Sequence, residues 1–261
     1  MKRLSILLIL FWISPVLWGQ HAVTDPASLG FSPDRLERMD QQFQAYVDDN
    51  DMAGSVILLA RKGEIGYFKA FGFADKEQNK TMTTDALFRI ASQSKAIISV
   101  GVMMLQEEGK LLINEPVSNY IPAFAETTVA VPTEEGGYKV EAANRQITIR
   151  DLLTHTAGIG YGFGPASDQW QEAGITGWYF ADRDEPIEAT VTRMAKLPMD
   201  AQPGEKFVYG YNTDILGVII EKASGMSLDR FIKQNILDPL GMKDTFFYVP
   251  ENKADRLTAV S

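Results

Sequence analysis

Ser92 and Lys95 stand three residues apart in FRIASQSKAIISVGVMMLQEEGKL, residues 88–111, at the edge of an otherwise apolar run. On a helix that spacing puts both side chains on one face, where they meet. A lysine in the first turn of a buried helix loses part of its hydration, which lowers an amine's pKa toward neutrality. A neutral amine accepts a serine proton, so the pair offers a nucleophile and a base without histidine. The helix N-terminus adds backbone N–H groups and a positive dipole end where an oxyanion would form. The same spacing also fits a structural role, because a serine at a helix start is commonly a cap.

Further residues extend the chemistry. In PGEKFVYGYNTDILGVIIEKASG, residues 203–225, a Pro-Gly turn is followed by Phe207, Tyr209 and Tyr211 and then by an amphipathic helix. Tyr209 reads either as a core aromatic with its hydroxyl satisfied or as a proton carrier. His155 in LLTHTAG invites a Ser-His-Asp arrangement, but no Gly-x-Ser-x-Gly elbow accompanies it. Tyr161, Phe163, Trp170, Trp178 and Tyr179 either line an acyl pocket or cover the core. With no Cys and only two His, His21 and His155, a zinc site lacks its usual ligands, so no metal is expected. Acyl transfer through serine needs no cofactor, and none is expected.

These residues need a scaffold, and 261 residues suffice for a sizeable core. The hydrophobic fraction of 45% and the charged fraction of 23% are those of an ordinary globular protein. A formal charge of -9 argues against nucleic acid and against an anionic membrane surface as partners. Residues 1–19 read as a secretory signal peptide: a Lys2-Arg3 start, a short apolar stretch broken by Pro15, and Gly19 near the cut. The mature domain, residues 20–261, is then periplasmic or secreted, without a disulfide framework, a lipid-attachment cysteine or a stable membrane anchor. Asn79-Lys80-Thr81 also matches a glycosylation acceptor.

Ser32 as cap, Pro33, and Leu36, Met39, Phe43 and Tyr46 at helical spacing predict a first amphipathic helix. GSVILLARKGEIGYFKAFGFAD predicts an antiparallel hairpin turning at Arg61-Lys62-Gly63-Glu64. Residues 96–105 predict a helix buried on most sides, ended by Gly109. Residues 114–148 read as a loop-rich section, ITIRDLLTHTAGI as a short helix closed by Gly158, and GYGFGPASDQWQEAGITGW as a pocket-lining loop. Helices follow at 186–196, 213–224 and 227–236. The order predicts an α+β mixture, in which two strands alone make no stable sheet.

FRIASQSK, LLTHTAG and the segment 203–225 together resemble the serine β-lactamase-like family of penicillin-recognising hydrolases, which includes class C β-lactamases, D-amino-acid peptidases and related esterases. The resemblance runs over residues 36–258. It implies a β-lactamase/transpeptidase-like fold, an antiparallel sheet flanked by helices plus a mostly helical lobe. It also implies Ser92 as acylated nucleophile, Lys95 as its hydrogen-bonded partner, and Tyr209 as the group that relays protons to the leaving group and later to water. The family's matching His is a packing residue. Tyr211, Asn212, Tyr161 and Trp178 are expected to bind substrate. Asn212 falls one residue later than the Asn of the β-lactamase form, which favours the esterase-like and peptidase-like branches.

Relatives carry a further Lys-Thr-Gly or His-x-Gly triplet on a downstream strand, and none precedes Ser261. The expectation is that the sequence is incomplete at its C-terminus, lacking strands, an oxyanion N–H and a closing helix. The expected function is a serine hydrolase acting on a small-molecule ester, amide or β-lactam. The alternatives are a penicillin-binding DD-peptidase or β-lactamase, and a non-catalytic binding module.

Overall fold

The structure, a computed structural model, describes residues 23–181 and 183–260. The segment read as a signal peptide and His21 lie outside the described residues. The chain divides into two compact units. One holds the described residues up to Arg89 with those from Pro250 onward, and the other is Ile90–Val249.

In the first unit, helix α1 (Pro33–Asp48) starts on a proline whose missing N–H would have no intrahelical partner. Ser32 holds the N-cap position, but its hydroxyl makes no capping bond. Strands β1 (Gly54–Arg61) and β2 (Glu64–Asp75) pair antiparallel from Gly54↔Gly72 to Arg61↔Glu64. Between them Lys62 (φ 55) and Gly63 (φ 80) both take the left-handed conformation that a two-residue hairpin turn demands. A third, two-residue strand β3 (Lys80–Thr81) pairs with β2 and leaves β1 at the sheet edge. Two residues are too few to show an alternating pattern, so the sequence reads there as a polar connection. Phe43 of α1 packs on Phe71 with ring centroids 5.8 Å apart, and Asp40 accepts from Tyr67 and Lys69. The returning segment is held by Leu87 N–H to Arg256 C=O at 2.8 Å and Thr258 N–H to Leu87 C=O at 2.9 Å.

The second unit begins with a 3-10 turn and helix α2 (Ser94–Glu107). Burial of α2 is one-sided and not all-round: Ile98, Gly101, Val102 and Leu105 are buried, while Val100 and Met103 are exposed. The section read as loop-rich contains an antiparallel hairpin, β4 (Thr128–Pro132) with β5 (Tyr138–Ala142). β5, YKVEA, does alternate apolar and polar residues, but it is short and largely exposed, and Pro132 and Gly136-Gly137 beside it read as loop signals. Helix α3 (Ile149–Leu153) opens with a capping box between Thr148 and Asp151. It ends well before Gly158, since His155 takes φ 54. Gly158 serves a close backbone pass instead: a Cβ there would lie 2.1 Å from the Ala201 carbonyl oxygen.

Helix α4 (Ser167–Glu172) lies inside the glycine- and aromatic-rich segment. Helix α5 (Ile187–Met194) follows, and then α6 (Asn212–Ser224), in which every residue from Ile215 to Ile220 is buried. Such a run marks the central helix of the unit. Gly101 on α2 makes room for it, because a Cβ at that position would meet Ile220, Ile232 and Phe231 at 3.2–3.3 Å. α6 stops at Gly225 in the left-handed conformation. The last predicted helix is two pieces, α7 (Leu228–Ile232) and a π-helical turn, Lys233–Leu237. The first unit carries a three-stranded antiparallel sheet and the second is mainly helical with a two-stranded one, so the class is α+β.

Candidate active site

Ser92 sits in the 3-10 turn Ala91–Gln93 that runs directly into α2, with Lys95 as the second residue of the helix. The i, i+3 relation is thus realised across a junction of two helix types. Ala91 has φ 41, backbone strain placed immediately before the serine. Lys95 Nζ donates to Ser92 Oγ at 3.2 Å. Tyr209, 117 residues further on, donates its hydroxyl to the same oxygen at 2.7 Å.

The electrostatics reverse the expectation for Lys95. Burial works against its charge, but the neighbouring hydroxyls of Tyr209 and Tyr161 outweigh burial and raise its pKa. The phenol of Tyr209 is shifted down, first by hydrogen bonding to Lys95 and then to Ser92. Lys95 is only partly desolvated, and its Nζ lies 4.8 Å from the Tyr209 ring centroid, a favourable place for a cation. The lysine therefore stays an ammonium, and the tyrosine becomes the group able to give up and take back a proton.

Around this trio the aromatic residues divide by role. His155 stacks on Tyr209 with centroids 4.9 Å apart, and Asn212 Nδ2 donates to its Nδ1 at 3.0 Å. Burial, then the Lys95 charge, lowers the imidazole pKa, so His155 is a neutral packing partner without a bond to Ser92. Asn212, expected at the substrate, is fully buried and also donates to Ile159 C=O at 3.1 Å. As the first residue of α6 it is turned inward, so it orients His155 and does not face the groove. Tyr211 is buried to 1% with its hydroxyl on Gly177 C=O at 2.8 Å. Gly210 is required between these tyrosines, because a Cβ there would come within 2.3 Å of the Ile159 carbonyl oxygen.

A groove of about 290 Å³ opens beside Ser92 and Lys95 and is lined by Tyr161, Trp178, Phe180 and Tyr211, among others. Trp178 stands at its rim, 74% exposed. Trp170 belongs to the core, its Nε1 donating to Pro198 C=O at 2.9 Å. Tyr179 is buried, donates to Glu185 at 2.6 Å and is not part of the groove lining. Asp214, also in the lining, was not singled out by sequence reasoning. Its signal is a lone acid at the head of an apolar helix. Among the described residues no group of three or more acidic or histidine side chains is placed to hold a metal ion.

The Beta-lactamase family model matches residues 39–261. The chain belongs to the Beta-lactamase family. Esterase EstB of Burkholderia gladioli is 31% identical over 232 residues, which is 88% of this chain and 56% of that protein. A protein of Salmonella typhimurium provisionally named D-alanyl-D-alanine carboxypeptidase is 30% identical over 231 residues, 85% of this chain and 49% of its own. Among solved structures, EstCE1, a hydrolase with promiscuous acyltransferase activity, superposes with a TM-score of 0.73 at 30% identity, covering 89% of this chain and 56% of that one. A class C beta lactamase superposes at 0.66 with 22% identity, covering 91% and 56%, which speaks for the fold alone. This Beta-lactamase family chain thus has the β-lactamase/transpeptidase-like fold that its motifs imply. It spans about half the length of the relatives it matches.

Proposed function

We propose that the protein is a serine hydrolase that cleaves a small ester or amide through an acyl-enzyme on Ser92. The observation that carries this reading is the single oxygen, Ser92 Oγ, approached by both Tyr209 and Lys95. In the resting chain Tyr209 donates across the 2.7 Å contact; once its acidified phenol has lost its proton beside cationic Lys95, the serine hydroxyl donates across it instead. The phenolate takes that proton as Oγ bonds to the substrate carbonyl carbon. The proton then passes from Tyr209 to the leaving oxygen or nitrogen as its bond to carbon breaks. In the second half, Tyr209 takes a proton from water, hydroxide oxygen adds to the acyl carbon, and Ser92 leaves with the proton restored. The Ser92 N–H precedes the first bonded amide of the turn, Gln93 N–H to Ile90 C=O at 2.9 Å, and is available to the oxyanion.

The reading includes a periplasmic or secreted location, supported by the basic start and apolar stretch of residues 1–19. Small-molecule substrates are its partners, and it involves neither cofactor nor nucleic acid. A penicillin-binding peptidase or β-lactamase is the second reading, favoured by the likeness to the Salmonella protein. Rapid nitrocefin turnover would select it. The test of the first reading is intact mass after exposure to a fluorophosphonate probe. One adduct, lost in Ser92→Ala, is expected; a folded chain with no adduct would leave a non-catalytic binding module as the better description.

A further inference from the structure

The proposed chemistry leaves one charged group in the groove unused. Asp214, in the first turn of α6, shares the lining with Ser92 and Lys95. Its carboxylate is in the field of Lys95 from α2, while Tyr161 from the glycine-rich loop and Tyr211 ahead of α6 also face it. Ile187 of α5 and Leu228 of α7 present apolar walls. Among the described residues no Lys or Arg is within ion-pair distance of Asp214, and Lys95 is already engaged by Ser92 and Tyr209. Burial pushes the carboxyl up to about 6 in spite of Lys95, so near neutrality it is an ionised group short of compensation.

Lys95 is turned to Ser92 and the Tyr209 ring, which leaves Asp214 as the acidic member of the lining with no cation paired to it among the described residues. The remaining lining is rich in aromatic side chains, including Trp178, Phe180 and Phe247, whose faces attract cations. A desolvated carboxylate among aromatic rings is the environment that an alkylammonium group satisfies, and one that a carboxylate or phosphate would not enter. We infer that the groove binds a substrate segment carrying a protonated amine, held by Asp214 among these aromatic side chains, so that substrates are aminoacyl or aminoalkyl esters or amides. The position of that amine beside the attacked carbonyl rests on the hydrolase reading; the binding of the amine itself does not.

The test separates the two. On Ser92→Ala protein at pH 7.5, binding of 2-phenylethylammonium is compared with that of neutral 2-phenylethanol by calorimetry. The ammonium is expected to bind about ten-fold more tightly. That advantage should fade as pH falls through about 6, where Asp214 takes up a proton, and should be lost in the additional variant Asp214→Asn. Equal binding of the two probes, or an advantage that survives Asp214→Asn, overturns the inference. With Ser92 intact, the p-nitrophenyl esters of β-alanine and butyric acid differ by an ammonium in place of a methyl group. Turnover of both without an ammonium preference in binding or kcat/KM keeps the hydrolase and rejects the amine site. Ammonium-selective binding with no turnover of either ester keeps the site and rejects the hydrolase.

Discussion

The Tyr209 hydroxyl lies 2.7 Å from Ser92 Oγ while its ring stacks on His155 at 4.9 Å. The phenol is thereby held by its ring and free to exchange a proton at its oxygen. Tyr209→Phe keeps the stacked ring and removes only that oxygen. Fluorophosphonate labelling of Ser92 is expected to slow by about 100-fold or more, the usual worth of a general base, with an unchanged near-ultraviolet dichroism spectrum. Labelling at the original rate would assign proton transfer to another group.

The two opposite pKa shifts predict a pH profile. Lys95 is raised and so keeps its charge into alkaline solution, whereas Tyr209 is lowered and ionises below the ordinary tyrosine range. The labelling rate of Ser92 should rise with pH through the depressed Tyr209 value and then level off. Lys95→Met removes the ammonium, so the rising limb should move to higher pH as well as lose amplitude. A limb left in place by Lys95→Met would show that Lys95 does not set the phenol's acidity.

Asp151 predicts a stability effect outside the groove. Arg145 donates to it through Nη1 at 2.6 Å and Nη2 at 2.9 Å, and Thr148 through its N–H at 2.9 Å and hydroxyl at 2.7 Å. Burial opposes ionisation, but these donors together pull the carboxyl below its usual range. Its folded pKa is thus below the unfolded one. The stabilisation is complete above the ordinary carboxylate range and is lost as pH falls through the folded value. Asp151→Ala should cost about 2 kcal/mol at pH 7, read from urea unfolding, and progressively less in acid. A pH-independent cost would show that charge contributes nothing at this cap.

Asp214 has the opposite sign. Its folded pKa, raised to about 6, exceeds the unfolded value, so the folded state favours the protonated form. Stability is then lost as pH rises from the ordinary carboxylate range to about 6 and stays reduced above it. Asp214→Asn should therefore stabilise the chain at pH 8 by about 2 kcal/mol, with the gain shrinking toward zero near pH 4. Thermal unfolding at the two pH values checks this. A destabilised Asp214→Asn protein at pH 8 would mean that the carboxylate is well compensated in the resting chain.

Where a feature depends on neighbours in the chain, the residues announce it. Lys62-Gly63 makes the β1–β2 turn, Pro33 starts α1 and Gly225 ends α6, each through its own backbone preference. The hairpin β4–β5 has a local signal, the alternation of YKVEA after the Gly136-Gly137 turn, but its docking on the Met199 segment, with Ala130 N–H on Met199 C=O at 2.8 Å, is a long-range contact that local pattern does not carry. Asn212 misled for a related reason. Its place three residues after Tyr209 suggests the site, yet helical phase carries its amide into the interior.

The sequence by itself determined which residues could react, their family and the helices and turns that present Ser92 and Lys95, because spacing, periodicity and backbone preference act over a few residues. Only the tertiary structure decided that Tyr209 reaches Ser92, that His155 packs without bonding to it, that Lys95 keeps its proton, and that Asp214 faces the groove. Those outcomes depend on burial and on distances of a few ångströms between segments far apart in the chain, and a pKa changes direction according to which of the two prevails.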